Sequence, residues 1–174
     1  EEGFRAFERR LECRAAIVSP HPQPRWEGEP LAGRTILLTL ERGFGDAIQF
    51  CRYAPLVKER GGTVALECPR PLRRLLQGCA GIDALVKPGE APAECAVQAP
   101  LISLPAILET RLESIPAAVP YLSPPAEVLP MLARALEAPG PLTKVGIAWA
   151  GSADHPRDRR HSCSLDHFLA LAAL

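Results

Sequence analysis

The sequence predicts an α/β domain built on a parallel sheet with helices on both faces, and three observations support that reading. Short apolar runs recur at 35–40, 63–67, 82–87 and 95–99. Segments with helical spacing lie between them, at 46–60 and 71–77. The first run, "TILLTL", does not alternate strictly between apolar and polar residues. Such a run suits a parallel strand buried on both faces. Strand and helix alternating at this spacing is the pattern of a doubly wound α/β fold.

The elements follow in order. Residues 1–15 read as a helix, with Phe4, Phe7, Leu11 and Ala15 at steps of three and four. One short helix cannot bury its own stripe, so it requires a neighbour, either in the following domain or outside these residues. Residues 19–33, "SPHPQPRWEGEPLAG", are rich in Pro and Gly and read as a linker or strap that Trp26 and Leu31 could pin down. After the first strand, 46–60 presents Ala47, Phe50, Ala54 and Val57 on one side. Pro55 lies within it and predicts a kink, because proline has no N–H for the bond to residue 51. Gly61 and Gly62 read as its stop. Pro71 can open a helix over 71–77 with Leu72, Leu75 and Leu76 inward. A short helix over 101–108 is expected to break at Pro105, and 114–125 reads as mostly irregular. Residues 127–137 are a further helical candidate, 144–150 restart the strand pattern, and Asp166 can cap a last helical segment.

Composition narrows the function classes. The chain has 174 residues, of which 47% are apolar, enough for a packed core despite 19 prolines. Lys plus Arg and Asp plus Glu number 20 each, so the net charge is zero and a polyanion-binding role, nucleic acid above all, is disfavoured. None of the six cysteines falls in a CxxC pair. Most sit among apolar residues and read as small core residues, with neither a zinc site nor a disulfide framework expected. A reducing, cytoplasmic setting is the expectation. The apolar runs are far shorter than the roughly 20 residues of a membrane span.

Two stretches have the residue types for chemistry. Gly43-Phe44-Gly45-Asp46 follows the first strand, and ligands of open parallel sheets bind beyond the carboxyl ends of strands. The glycines permit close backbone approach, and amides at a helix start can hold an anion. Asp46 reads either as a helix cap or as a base pointing into a cleft. The spacing is neither G-x-G-x-x-G nor that of a P-loop, so a plain glycine turn with an Asp cap is the alternative. The second stretch, "WAGSADHPRDRRHS", follows the run at 144–150 and contains His155, Arg157, Asp158, Arg159 and Arg160. Arginines in such a loop suit a diphosphate, while a solvated charged loop explains them equally. Cys68, ending a strand, and Cys51, in an apolar helix, are weak candidates for a nucleophile. No G-x-S-x-G or Ser-His-Asp signature points to a hydrolase.

A family resemblance adds to this reading. "TILLTLERGFGDAIQFCRYAPLVKERGGTVALECPRPLRRLL" resembles the glycosyltransferase-like domain that follows tetratricopeptide repeats in many bacterial proteins. That domain is similar to heptosyltransferases and, more distantly, to O-linked N-acetylglucosamine transferases. Within the family run L-H-A-E-Q-G-L-G-D-T-I-Q-F-A-R-Y, the matching residues are Glu41, Gly43, Gly45, Asp46, Ile48, Gln49, Phe50, Arg52 and Tyr53. Thr39, Arg42 and Phe44 depart from it. "PLISLPAILETRLESIPAAVPYL" and "VGIAWAGSADHPRDRRHS" resemble later family segments, the second through His155, Asp158, Arg159 and Ser162. Ala96, Gln98 and Ala99 stand where the family often has Asp, His and Cys. "EEGFRAFERRLECR" is similar to the end of a last repeat.

The resemblance implies a two-lobed glycosyltransferase B-type fold of Rossmann-like lobes. Residues 1–18 would end a repeat, 19–33 link, 34–140 form the first lobe, and 141–174 begin the nucleotide-sugar lobe. It implies transfer from a nucleotide diphosphate sugar to an acceptor hydroxyl. Asp46 would be the base, with Gly43, Gly45, Gln49, His155, Asp158 and Arg159 on the substrates and no metal or other cofactor. These residues alone would be inactive, lacking the opposite wall of the cleft. The alternative is a protein-interaction module, in which upstream repeats hold a partner and the transferase fold is degenerate.

Overall fold

The structure is a computed structural model that describes residues 2–13, 21–41, 43–124, 130–137, 144–151 and 162–173. The chain divides into two compact units, Glu1–Glu127 and Val128–Leu174.

The first unit holds a four-stranded sheet in the order β3-β2-β1-β4. The strands are β1 (Thr35–Thr39), β2 (Thr63–Glu67), β3 (Ala84–Val86) and β4 (Cys95–Pro100). Every pairing is parallel; Ile36 lies opposite Val64 on one side and Val97 on the other. This is a generic Rossmann-like arrangement, a parallel sheet flanked by helices. All five residues of β1 are buried, as expected of a central strand covered on both faces. Ile36, Leu38, Val64, Leu66, Val57, Leu76, Leu101 and Leu104 join one core cluster. Each such side chain stabilises the fold by roughly 1.5–3 kcal/mol through burial.

The helices are short and share one device. The expected helix over 46–60 is two helices, α2 (Phe44–Phe50) and α3 (Ala54–Lys58), joined by a 3₁₀ turn at Cys51–Tyr53. Pro55 does not kink a continuous helix. It lies in the first turn of α3, where a missing N–H costs nothing. Pro105 behaves alike: a 3₁₀ turn (Leu101–Ser103) leads into α5 (Leu104–Ile107), and the proline starts that helix rather than breaking it. Pro71 sits in the 3₁₀ turn Arg70–Leu72 that leads into α4 (Arg73–Leu76), with Leu72 and Leu76 buried. The chain leaves α3 through a turn in which Gly61 N–H bonds Lys58 O at 3.0 Å. Gly62 lies so close to the strap that a Cβ there would overlap the Arg34 carbonyl and come within 2.7 Å of Leu31.

The strap is pinned as the sequence suggested, with Trp26 and Leu31 fully buried. It also closes an edge. Trp26 N–H donates to Gln98 O at 2.8 Å, and Gln98 N–H donates to Pro24 O at 3.0 Å, so the outer side of β4 is hydrogen-bonded. At the carboxyl end of β2, Glu67 is buried and ties three segments together. Its Oε2 accepts from Leu40 N–H at 3.0 Å. Its Oε1 accepts from Gly89 N–H at 2.8 Å and lies 2.9 Å from His21 Nε2 in the strap.

The opening stripe finds its neighbour within this unit. The described part is α1 (Glu2–Phe7) followed by a 3₁₀ stretch, Glu8–Glu12; Phe4 and Leu11 are half-buried, whereas Phe7 stays exposed. Ala15 lies outside the described residues.

In the second unit α6 (Pro130–Glu137) forms within the helical candidate. Among the described residues, 144–150 form no strand, contrary to expectation. Instead Cys163 N–H donates to Trp149 O at 2.9 Å. The last described segment is the 3₁₀ helix Leu165–Ala173. Ser164, not Asp166, sits at its start: Ser164 Oγ accepts from Asp166 N–H at 3.2 Å. Among the described residues no helix is long and apolar enough to cross a membrane.

Two outcomes are expected. Glu67→Gln turns an N–H₂ toward a backbone N–H and loses stability by about 1–3 kcal/mol, read as a lower urea midpoint. The second concerns Asp83. Burial raises its pKa, but Lys58 Nζ at 2.7 Å and Val64 N–H at 2.7 Å win and hold it below the ordinary value. The stability linked to it is complete above the ordinary carboxylate pKa and is lost as pH falls through the lower folded value. Asp83→Asn therefore lowers stability at neutral pH and flattens the acid limb of a stability-versus-pH curve.

Candidate functional site

The stretch 43–46 leaves the carboxyl end of the central strand, as the sequence placed it. Gly43 is the N-cap of α2, extended at φ −85° and ψ 128°, and its carbonyl accepts the first helical bond from Ala47 N–H at 3.0 Å. Asp46 is therefore not the cap. It sits three residues into the helix, and its carboxylate folds back over the cap, so that a Cβ at Gly43 would overlap Asp46 Oδ2. The backbone there is ordinary for any residue, and a side chain at 43 would displace the Asp46 carboxylate from the cap. Asp46, Gly45 and Gln49 are exposed, while Ala47 on the opposite side is buried. The helix has seven residues, so its start offers few aligned amides to an anion.

On the same helix, Gly45 and Gln49 but not Asp46 line a cleft of about 420 Å³, together with Phe4, Arg52, Ile115 and Tyr121 among others. Arg52 builds one wall. Its Nε donates to Gln49 O at 2.9 Å and its Nη1 to Pro116 O at 3.2 Å. Its guanidinium lies 4.1 Å from the centre of the Tyr121 ring. Such cation–π contacts are worth roughly 0.5–2 kcal/mol. Phe50 and Tyr53 stack with ring centroids 6.2 Å apart.

The residue before the loop, Glu41, is engaged by the opening segment. Arg10 Nε donates to both Glu41 oxygens at 3.0 Å, and Arg10 Nη2 also reaches Glu41 Oε1. The same Nη2 donates to Ser103 Oγ at 2.8 Å, and Nη1 donates to Glu8 Oε1 at 2.7 Å. Arg10 thus bridges the carboxyl ends of β1 and β4, the place where ligands of open sheets bind. Burial opposes both charges, yet Arg25 and Arg10 hold the Glu8 carboxyl below its usual range, and Glu41 and Glu8 raise the Arg10 guanidinium.

Of the residues singled out from sequence, Gly43, Gly45, Asp46 and Gln49 come together on one face at the start of α2, with Gly45 and Gln49 in the cleft wall. His155, Asp158 and Arg159 lie outside the described residues. Arg10, Ser103 and the Glu67–His21 pair were not singled out. Arg10 and Glu41 are 31 residues apart, and no spacing rule pairs them. Cys68 is buried, and that burial raises its thiol pKa against the opposing charge of Arg73, the reverse of an activated nucleophile. Among the described residues no group of three or more His, Cys, Asp or Glu is placed to hold a metal ion. None of the protein-family models, curated protein sequences or solved structures compared with this chain matches it.

Proposed function

We propose that this chain supplies the first lobe of an enzyme that moves a glycosyl group from a nucleotide diphosphate sugar to an acceptor hydroxyl. The observation behind the proposal is the exposed Asp46 carboxylate beyond the central strand of a parallel sheet, on the short helix whose Gly45 and Gln49 line a cleft of about 420 Å³. In this reading Asp46 accepts the proton of the acceptor hydroxyl as its oxygen bonds to the anomeric carbon. The bond from that carbon to the diphosphate breaks, and the nucleoside diphosphate leaves with the electron pair. A base in this role acts within about 3 Å of the hydroxyl, directly or through one water. The Gly43 cap and the buried Ala47 hold the turn that aims it, and Gln49 and Arg52 line the space where an acceptor would rest. His155, Asp158 and Arg159 are assigned to the donor side by resemblance alone.

A second reading has its own support. Arg10 bridges the ends of β1 and β4, so the opening segment occupies part of the edge where a transferase would need access. A protein-interaction module, with repeats stacked on a lobe that no longer catalyses, accommodates that arrangement.

With a complete second lobe present, Asp46→Asn is expected to lower glycosyl transfer by about 10²–10⁴-fold while leaving donor affinity unchanged. Unaltered transfer would remove Asp46 from the mechanism. Arg10→Met is expected to destabilise the fold by about 1–3 kcal/mol in urea unfolding, since Glu41 and Glu8 lose their shared partner. If the wild-type protein transfers sugar from none of a panel of nucleotide diphosphate sugars, the interaction reading takes precedence.

A further inference from the structure

Adjoining the cleft at Arg52 and Tyr121, a second cavity of about 350 Å³ has two cysteines in its wall, Cys51 and Cys79. Cys51 begins the 3₁₀ turn between α2 and α3, and Cys79 lies in the turn after α4, 28 residues later. Cys51 is fully buried and Cys79 nearly so. Cys79 Sγ donates to the Cys51 carbonyl oxygen at 3.9 Å, and Cys51 Sγ donates to the Ile48 carbonyl oxygen at 3.1 Å. Pro55, Leu56, Pro116 and Tyr121 supply much of the remaining wall, and Arg52 reaches its rim. Neither cysteine belongs to a strand, so the sulfurs can approach without disturbing the sheet. A cysteine that merely fills the core needs no thiol partner and no adjoining space. Cys68 and Cys95, by contrast, have burial as the main influence on their thiols.

We propose that Cys51 and Cys79 form a dithiol site that undergoes thiol–disulfide exchange with a low-molecular-weight disulfide admitted to this cavity. The order of attack follows first from which sulfur an incoming disulfide can reach. Cys51 is fully enclosed and its thiol donates to the Ile48 carbonyl, whereas Cys79 keeps a small exposed surface toward an incoming disulfide. The neighbouring thiol and burial also push the Cys51 pKa up, while the Cys51 thiol pulls that of Cys79 down. Cys79 is therefore the attacking thiolate. It bonds to one sulfur of the small disulfide and expels the other half as a thiolate. Cys51 then releases its proton, helped by the positive charge of Arg52, and attacks Cys79 Sγ. The second half of the small disulfide leaves as a thiolate. The protein loses two protons and two electrons, and the small disulfide takes them up to become two thiols. Closure draws the sulfurs to about 2.05 Å.

The test treats the folded chain with excess oxidised glutathione, blocks remaining thiols, and maps the products by mass spectrometry without reduction. The exposed Cys13 and Cys163 report that the reagent is active. The expected result is a Cys51–Cys79 linkage, preceded by a transient glutathione adduct on Cys79. In Cys51→Ala the reaction should halt at that adduct; in Cys79→Ala residue 51 should stay unmodified. Two free thiols at 51 and 79 after Cys13 has reacted would overturn the proposal. So would linkage formed only in urea, or a first adduct on Cys51. The wild-type time course reads the same order of attack should either variant fail to fold.

Discussion

β1 has a strand on each edge and buried side chains on each face, so it leaves nothing free but its carboxyl end. That enclosure determines what the first unit can do. A fully surrounded strand holds its terminus rigidly, and whatever follows it inherits a fixed position. The turn at Gly43, the Asp46 carboxylate and the start of α2 are placed by that rigidity more than by their own conformational preferences.

The same edge of the sheet gathers charge. Glu41 ends the turn out of β1 and Glu67 ends β2, and each is answered by a residue from the segment before the sheet: Arg10 for the first, His21 for the second. Glu67 also accepts two backbone N–H groups that the sheet leaves unpaired. Buried carboxylates with partners on several elements specify how those elements meet, because removing any one partner leaves a polar atom unsatisfied. The opening segment is thus integrated with the sheet through polar contacts, while its Phe7 remains in solvent.

The architecture was readable from the sequence where apolar runs are short and unbroken, because a parallel strand with two covered faces permits little else. Trp26 and Leu31 were readable for a related reason: large apolar side chains in a Pro/Gly-rich strap have nowhere to go but the core. Prolines misled. Pro55 and Pro105 look like helix breakers in a periodic pattern, but a 3₁₀ turn ahead of each converts it to a helix start, and periodicity does not register that change of pitch. Asp46 was located correctly as to strand end and wrongly as to cap, since glycine can take the cap position and free the carboxylate to fold back. The Arg10–Glu41 and Cys51–Cys79 meetings depend on how distant turns are brought together, which local spacing does not encode.

Arg52 lines both the cleft at Gly45 and Gln49 and the cavity with the two cysteines in its wall, and Tyr121 does the same. The two spaces are neighbours across one partition made of a stacked cation and ring, fastened to the irregular segment by the Pro116 carbonyl. Occupancy on one side and chemistry on the other therefore act on a common side chain. A molecule that pulls the guanidinium off the ring would reshape both chambers in a single movement.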